Sequence, residues 1–173
     1  IVEELTANNY EVICAVRKNS DLKWINNRPV KLKYGTLNDK TFLKEIISET
    51  DIVIHCAGVV RALTWDTYND VNVTGTKNII ETVLENNKNL KKFIFISSQA
   101  AMGPSFEDKT RKIGDIETPV SDYGKSKLLA EQEVKKLKGI VPYCILRPAA
   151  VYGPRDKDIF AFFNMVNKHI APK

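Results

Sequence analysis

Short apolar runs alternate with amphipathic segments along the length of this chain. Continuous or alternating apolar runs indicate strands, whereas apolar residues spaced three or four apart indicate helices. The pattern predicts strands over residues 10–16, 30–34, 51–56, 92–97 and 141–146. It predicts helices over residues 42–48, 65–85 and 122–137, and helical spacing also opens the chain.

Because strands alternate with helices throughout, the pattern favours an α/β fold: a Rossmann-like, doubly wound parallel sheet built from right-handed crossovers. The run over residues 51–56 is almost continuously apolar, which is typical of a strand covered on both faces. In dinucleotide-binding folds the opening helix follows a central strand and a glycine-rich turn. This chain opens on helical spacing at Ile1 and Leu5, so we expect the first, middle strand of the sheet to be absent.

Composition narrows the classes of function. The 26 Lys and Arg residues are interspersed with 21 Asp and Glu residues, which indicates an ordinary charged surface and no nucleic-acid partner. No apolar run approaches the length of a membrane span, and we expect a soluble, cytoplasmic protein. Cys14, Cys56 and Cys144 each fall in an apolar run, which favours buried free thiols in a reducing compartment, and no Cys or His spacing predicts a metal site.

Tyr123 and Lys127 lie four residues apart on the predicted helix 122–137, so they share one helix face. A phenol with a pKa of about 10 is a poor base at neutral pH. A neighbouring ammonium favours the phenolate and brings it into range for proton transfer. The pair alone is weak evidence, because surface helices often carry it.

Ser98 stands at the end of the predicted strand 92–97. Doubly wound sheets bind ligands at the carboxyl ends of their strands, where a hydroxyl can hydrogen-bond to a substrate alcohol or carbonyl. A serine at such a place is also a common turn or helix cap. The ordered combination of Ser98, a loop over 103–119, and Tyr123 with Lys127 is far more specific than any of its parts.

Together these features resemble the extended short-chain dehydrogenase/reductase family, of the sugar-epimerase-like type. The resemblance covers nearly the whole chain and rests on Asn-Val-Thr-Gly-Thr at 72–76, Phe-Ile-Ser-Ser at 95–98, Tyr123 with Lys127, and Arg-Pro-Ala-Ala-Val-Tyr-Gly-Pro at 147–154. It implies that residues 1–151 form an NAD(P)-binding domain, incomplete at its N-terminus. Residues 152–173 would begin a substrate-binding lobe.

The resemblance also implies roles. Tyr123 would be the general acid/base on a substrate hydroxyl, Lys127 would hold the nicotinamide ribose and support the tyrosinate, and Ser98 would orient the reacting oxygen. Further cofactor contacts are implied at Thr36, Leu37, Cys56, Ala57, Gly58, Asn72, Pro148 and Val151, although Thr36 departs from the usual Asp of the family. Arg155, after a Gly-Pro pair, could contact a phosphate or sugar of the substrate, and exposure alone explains it as well.

Cofactor choice depends on the end of the second strand of the fold. An NAD enzyme prefers a carboxylate there for the ribose hydroxyls, whereas an NADP enzyme places a cation there for the 2'-phosphate. The predicted strand 10–16 is followed by Arg17 and Lys18, with no acid before Asp21. We therefore expect NADP as the favoured cofactor, with NAD as the alternative.

The reaction within the family stays open at this point. Sugar dehydratases resemble this chain but typically carry an Asp-Glu pair after the catalytic hydroxyl, whereas Gln99 and Ala100 follow Ser98 here, which disfavours dehydration. Nucleotide-sugar epimerases and carbonyl reductases of the dihydroflavonol or hydroxysteroid type remain. A non-catalytic dinucleotide-binding regulator is the alternative function. In relatives, helices matching 65–85 and 122–137 form a dimer interface, so the resemblance implies a homodimer acting on a small molecule.

Overall fold

The computed structural model describes residues 1–106 and 109–170. The strands are β1 (Val12–Val16), β2 (Val30–Tyr34), β3 (Ile52–His55), β4 (Lys92–Ile96) and β5 (Tyr143–Leu146). The α-helices are α1 (Val2–Ala7), α2 (Lys40–Ser48), α3 (Trp65–Tyr68), α4 (Gly75–Asn86), α5 (Asp122–Lys135) and α6 (Asp158–Asn167). Residues 107 and 108 of the predicted loop 103–119, and residues 171–173 of the predicted lobe 152–173, lie outside the described residues.

Every strand pair is parallel, which confirms the predicted α/β class. In the described part of the chain the strands form two sheets, β1–β2 and β3–β4–β5, in place of one continuous sheet. No described strand joins the two. In the larger sheet Ile96 pairs with Leu146, so β4 and β5 end side by side at one edge.

Side-chain caps fix where the helices begin. The Asp39 carboxylate accepts a hydrogen bond of 3.0 Å from the backbone N–H of Phe42, which starts α2. The Ser121 hydroxyl accepts one of 3.1 Å from the N–H of Gly124, which starts α5. Such caps satisfy backbone donors that have no partner within the helix. The cap at Ser121 places Tyr123 in the first turn of α5.

The single helix predicted over residues 65–85 is wrong in one respect, because a π-helical segment, Asn69–Thr74, separates α3 from α4. Such wide turns are rare and occur mostly as interruptions within α-helices. This one contains Asn72, which is buried. The Asn72 amide contacts the backbone of Val59, an interaction between distant segments that helical periodicity does not reveal.

The hydrophobic core lies between the larger sheet and the helices α2, α4 and α5. Its centre is formed by β4, where Phe93 and Phe95 are both 0% exposed. Val83 of α4 and Val134 of α5 are equally buried against it. None of the described helices is long and apolar enough to cross a membrane.

The three cysteines are free. Cys14 and Cys144 lie in β1 and β5 and are partly buried, whereas Cys56 is exposed just beyond the end of β3. The prediction that Cys56 is buried inside a strand is therefore wrong. The apolar run continues one residue past the last strand pairing, between His55 and Phe95, so its final residue extends beyond the sheet edge.

Candidate active site

A cleft of ≈ 390 Å³ opens at the carboxyl ends of β3, β4 and β5. This is the edge at which ligands bind in parallel α/β sheets. Its lining comprises Cys56, Gly58, Val60, Ile96, Ser97, Ser98, Tyr123, Lys127, Pro148, Ala149, Ala150, Val151, Asp156 and Ile159. The cleft therefore brings Ser98, which follows β4, together with Tyr123 and Lys127 of α5, along with four of the predicted cofactor contacts: Cys56, Gly58, Pro148 and Val151.

Lys127 is held at the base of this cleft. It is buried, with 4% of its surface exposed. Its Nζ donates a hydrogen bond of 2.8 Å to the backbone carbonyl of Ile96, the last residue of β4. The same ammonium lies 4.2 Å from the centre of the Phe95 ring, a favourable cation–π arrangement. Lys127 therefore has a defined position even though lysine side chains are ordinarily mobile and solvated.

Burial lowers the pKa of Lys127 to about 8, and the nearby carboxylate of Glu131 partly opposes this effect. Burial has this direction for an amine because the charged form loses its hydration. At neutral pH the ammonium form still predominates. The cleft thus contains a cation that can stabilise a neighbouring anion and that titrates close to physiological pH.

Tyr123 lies in the first turn of α5 and is half-buried at the wall of the cleft. Its ring stands 6.4 Å from that of Tyr68, centre to centre, in a tilted arrangement. The Ser98 hydroxyl, which also lines the cleft, accepts a hydrogen bond of 3.2 Å from the N–H of Ala100 and so caps the short 3-10 turn Gln99–Ala101. The cap uses one acceptor position of Ser98, and a hydroxyl has a donor and a second acceptor position as well.

Gly58 provides a test of whether a flat cofactor group fits this cleft. A Cβ atom at this position would stand 3.0 Å from the Asn72 amide oxygen and 4.0 Å from the Lys127 Nζ. A side chain would therefore fill the space beside the ammonium. Glycine instead leaves exposed backbone there, as is typical where a ligand approaches the chain closely. The open backbone beside the Lys127 ammonium leaves room for a flat ligand group, so this part of the cleft fits a ring such as nicotinamide.

Asn72 does not line the cleft, although the resemblance implies a cofactor contact for it. Its amide accepts a hydrogen bond of 2.8 Å from the N–H of Val59 and donates one of 3.0 Å to the carbonyl of the same residue. It also donates one of 2.9 Å to the Ser126 hydroxyl, which in turn donates to the Tyr123 carbonyl. Through these hydrogen bonds Asn72 links the segment at Val59, next to Gly58, to the first turn of α5.

Beneath the cleft, a buried ion pair joins α5 to the end of β5. The Arg147 guanidinium donates to both carboxylate oxygens of Glu131, at 2.9 Å and 2.6 Å. Ser97 donates to the same carboxylate at 2.5 Å. Arg147 also donates to Glu117 at 2.8 Å, and these two carboxylates raise its pKa. Glu117, in turn, has its pKa lowered by the hydrogen bond from Arg147.

The other predicted residues are not brought to the cleft in the described structure. Arg17, Thr36 and Ala57 are exposed, with Arg17 directly after β1. Leu37 packs against α4, where a Cβ on Gly75 would stand 2.8 Å from its Cδ1. Arg155 contacts Glu3 and Trp24.

The Arg155 guanidinium donates to Glu3 at 2.8 Å and lies 4.5 Å from the centre of the Trp24 ring. Its backbone has a φ of 79°, in the left-handed region. Arg155 therefore joins the segment after β5 to α1, and a substrate contact at this residue stays a prediction.

Sequence reasoning missed several groups that matter to this region. Val60, Asp156 and Ile159 line the cleft, and no local motif singled them out. The Glu131–Arg147 pair was also missed. One signal existed, since Glu131 follows Lys127 by one helical turn and therefore lies on the same face of α5.

His55 is a satisfied core residue, as its position late in a buried strand suggests. Its Nε2 is 2.9 Å from the Thr76 hydroxyl, and that hydroxyl donates at 2.6 Å to the Asn72 carbonyl. His55 is therefore the donor in the first bond. Burial, with a smaller contribution from Lys127, lowers its pKa to about 3, so the ring is neutral. Among the described residues, no cluster of three or more His, Cys, Asp or Glu side chains could hold a metal ion.

Comparison with known proteins extends these observations. The model of the NAD dependent epimerase/dehydratase family matches residues 1–171. The UDP-glucose 4-epimerase of Vibrio cholerae is 33% identical over 148 residues, which are 79% of this chain and 44% of that protein. The 3 beta-hydroxysteroid dehydrogenase/Delta 5-->4-isomerase of Vaccinia virus (strain Ankara) is 31% identical over 148 residues, covering 77% of this chain and 42% of that protein. The chain thus spans less than half the length of these two curated relatives.

Solved structures share the fold. The crystal structure of UDP-glucuronic acid 4-epimerase from Bacillus cereus in complex with NAD superposes with a TM-score of 0.79 at 22% sequence identity. The match covers 97% of this chain and 58% of that one. At this level of identity the similarity shows a common fold.

Proposed function

Because this chain belongs to the NAD dependent epimerase/dehydratase family, we propose that it forms the cofactor-binding part of an NAD(P)-dependent enzyme. The enzyme would transfer a hydride and a proton at a hydroxyl- or carbonyl-bearing carbon. One observation carries this proposal: Ser98, which follows β4, and Tyr123 and Lys127, both on α5, line one cleft at the carboxyl ends of parallel strands. We further propose residues 1–151 as the dinucleotide-binding domain and residues 152–173 as the beginning of the substrate lobe.

In the proposed mechanism the three side chains manage the proton. Tyr123 takes the proton of the substrate hydroxyl during oxidation and returns it to the carbonyl oxygen during reduction. Ser98 hydrogen-bonds to the same oxygen and holds it towards Tyr123. The Lys127 ammonium would stabilise the tyrosinate and hold the nicotinamide ribose. The backbone at Gly58 would line the cofactor, and Pro148 would flank the nicotinamide. A nicotinamide cofactor, when bound, supplies the hydride donor or acceptor.

We propose a nucleotide sugar as the substrate class. The 33% identity to a UDP-glucose 4-epimerase supports this choice. The 31% identity to a 3 beta-hydroxysteroid dehydrogenase/Delta 5-->4-isomerase favours a second candidate, oxidation of a hydroxyl group or reduction of a carbonyl on a less polar compound. Assays of the whole protein with UDP-sugars and with hydroxysteroids, following NAD(P)H absorbance and product composition, separate the two.

The proposed preference for NADP rests on Arg17, which is exposed directly after β1. NAD is the cofactor in the similar Bacillus cereus structure, so the two cofactors need direct comparison. The change Arg17→Asp should reverse the ratio of the NADP and NAD dissociation constants, because a carboxylate repels the 2'-phosphate and accepts from ribose hydroxyls. The change Lys88→Asp, far from β1 in sequence, is the control. An Arg17→Asp ratio equal to that of the control removes Arg17 from the cofactor site.

The central test is Tyr123→Phe in the whole protein, with Tyr10→Phe, at an exposed tyrosine, as the matched control. Loss of the phenol oxygen should lower kcat by about 10²- to 10⁴-fold, the usual contribution of a general acid/base. Binding of NADPH, measured by fluorescence or calorimetry, should change little. Equal kcat in both variants would eliminate the acid/base role. A parent that binds the dinucleotide without any turnover would instead support the non-catalytic regulator.

We also propose a homodimer in which the helical regions 65–85 and 122–137 of two copies pack together. In the described structure α4 and α5 already pack side by side, as a shared interface requires. Sedimentation equilibrium of the whole protein tests this proposal, and a monomer at micromolar concentration would exclude it.

The free thiols of the three cysteines support a reducing, cytoplasmic location.

A further inference from the structure

Glu131 is a buried carboxylate that the proposed chemistry does not use. It is 0% exposed and lies on α5, four residues after Lys127. Removing a carboxylate from water costs several kcal/mol, roughly, unless it is paired and fully hydrogen-bonded. The Glu131 carboxylate therefore needs hydrogen-bond partners that offset its loss of hydration. Those partners identify the segments that Glu131 holds together.

Glu131 has three donors on its two oxygens. Arg147 binds it in the two-pronged manner of a guanidinium and a carboxylate, through Nε at 2.9 Å and Nη2 at 2.6 Å. The Ser97 hydroxyl adds a bond of 2.5 Å. Buried side-chain polar atoms without a hydrogen-bond partner are absent from the described residues, so this network is satisfied.

The partners of Glu131 stand next to the residues that form the cleft. Ser97 directly follows Ile96, whose carbonyl accepts the Lys127 bond, and directly precedes Ser98. Arg147 directly precedes Pro148. Beyond the strands, Ser97 N–H donates at 2.7 Å to the Leu146 carbonyl and Gln99 N–H donates at 2.9 Å to the Pro148 carbonyl. One carboxylate thus joins α5 to the ends of both β4 and β5.

We propose that Glu131 is a positioning residue of the site, a role that rests on the proposed function. Through Ser97 and Arg147 it fixes Ser98, Lys127 and Pro148 relative to one another. Because Lys127 and Glu131 lie one turn apart on the same face of α5, a rotation or shift of the helix that moves Lys127 also breaks the Glu131 bonds. The network therefore holds the helix to the strand ends at the position that the cleft requires.

Glu131 also has an electrostatic effect that a purely structural group would lack. Its charge raises the pKa of Lys127, against the larger effect of burial. Cys56, beyond β3, acts on Lys127 in the same direction, and neutral His55 of β3 also lies near it. Tyr123 lies one turn before Lys127 on α5 and lines the same cleft. Loss of the Glu131 charge should make Lys127 give up its proton at lower pH.

The experiment compares Glu131→Gln with Glu133→Gln in the whole protein. Glu133 is on the same helix and pairs with Lys136 at 2.6 Å near the surface, so the control makes the same chemical change away from the cleft. Glu131→Gln should lower kcat by about 10- to 100-fold, because small displacements of catalytic groups have effects of this size. The fall of kcat/KM at high pH should move to lower pH, and Glu133→Gln should match the parent in both respects.

A second variant, Ser97→Ala, removes one bond to Glu131 but keeps the ion pair and its charge. It should lower kcat less than Glu131→Gln does and leave the high-pH limb unmoved. A parent protein that binds neither NAD nor NADP would overturn the proposed function. A parent that turns over, with Glu131→Gln identical to Glu133→Gln, would overturn the positioning role. If Glu131→Gln does not fold, an unchanged kcat in Ser97→Ala would overturn the positioning role of Glu131.

Discussion

The larger sheet and the smaller sheet of this molecule are stabilised in different ways. In β3–β4–β5, Phe93 and Phe95 are fully buried beneath α4 and α5. In β1–β2, only Val12 is buried, at 9% exposure, and no residue of β2 or of α1 is. A parallel sheet is expected to be covered on both faces, and the larger sheet approaches that state far more closely.

The polar contacts of the two regions differ in the same sense. Beneath the larger sheet edge, Lys127, Glu131 and Asn72 are buried and each has specific partners. At the smaller sheet, Lys31 pairs with Glu11, and both side chains are largely exposed. Exposed ion pairs contribute little to stability, whereas buried partners are strongly coupled. The proposed catalytic residues therefore lie beside the closely packed sheet, whereas Arg17 and Thr36 lie beside the more exposed one.

The comparison predicts its largest effect for a core truncation. Phe93→Ala should lower the free energy of unfolding by about 3–5 kcal/mol, because it leaves a cavity in a closely packed core. Tyr34→Ala in β2, where 49% of the tyrosine surface is exposed, should cost far less. Urea unfolding followed by circular dichroism measures both. Equal losses would show that the two sheets are equally packed.

Gly103 and Gly139 have similar φ angles but differ in how closely other atoms surround them. Gly103 has a φ of 83° and Gly139 a φ of 80°, values that disfavour any side chain. A Cβ on Gly103 would also stand 2.0 Å from the Thr118 carbonyl oxygen, whereas one on Gly139 would meet nothing within 4 Å. Gly139→Ala should cost about 1 kcal/mol and Gly103→Ala considerably more. Similar thermal midpoints for the two would contradict the tight packing of the segment after Ser98.

Lys127→Met should increase stability while abolishing activity. A pKa of about 8 in the folded protein, against 10.5 for the free side chain, means that burial of the ammonium opposes folding. Near pH 7 the free energy of unfolding should rise by about 2 kcal/mol, after allowance for the lost hydrogen bond to the Ile96 carbonyl. Lys125→Met, at an exposed lysine 4.9 Å from the Trp65 ring centre, is the control.

The pH dependence of that gain has a definite sign. The folded protein binds the Lys127 proton only below a pH of about 8, and the unfolded chain binds it below 10.5. The advantage of Lys127→Met should therefore be complete below pH 8 and should disappear as the pH rises towards 10.5. An advantage that is constant over this range would mean that the lysine is not titrating as described.

The smallest effect is expected for the surface of β1–β2. Glu11→Gln removes the pair with Lys31, which is exposed on both sides. The free energy of unfolding should not change measurably, because exposed ion pairs contribute little. Added salt, which screens such pairs, should not produce a stability difference between Glu11→Gln and the parent. A large loss would show that the smaller sheet depends on electrostatics more than its exposure indicates.

Much of the fold follows from local patterns. The strand over Val30–Tyr34 appears with the predicted bounds, and the others differ by one or two residues at their ends. Apolar runs find such elements because the period of the side chains matches the geometry of the strand. The π-helical segment around Asn72 escaped prediction, and the bonds between Asn72 and the Val59 backbone escaped it too, because they join segments that no local repeat relates.

The sequence by itself determined the alternation of strands and helices and the placement of Tyr123 and Lys127 on one helix face, since both depend on neighbours within a few positions. Only the tertiary structure decided the burial of Lys127, the pairing of Glu131 with Arg147 and the engagement of Arg155 with Glu3. Desolvation and ion pairing depend on which segments meet in space. That meeting is decided by the packing of α5 on the ends of β4 and β5, and no local pattern contains it.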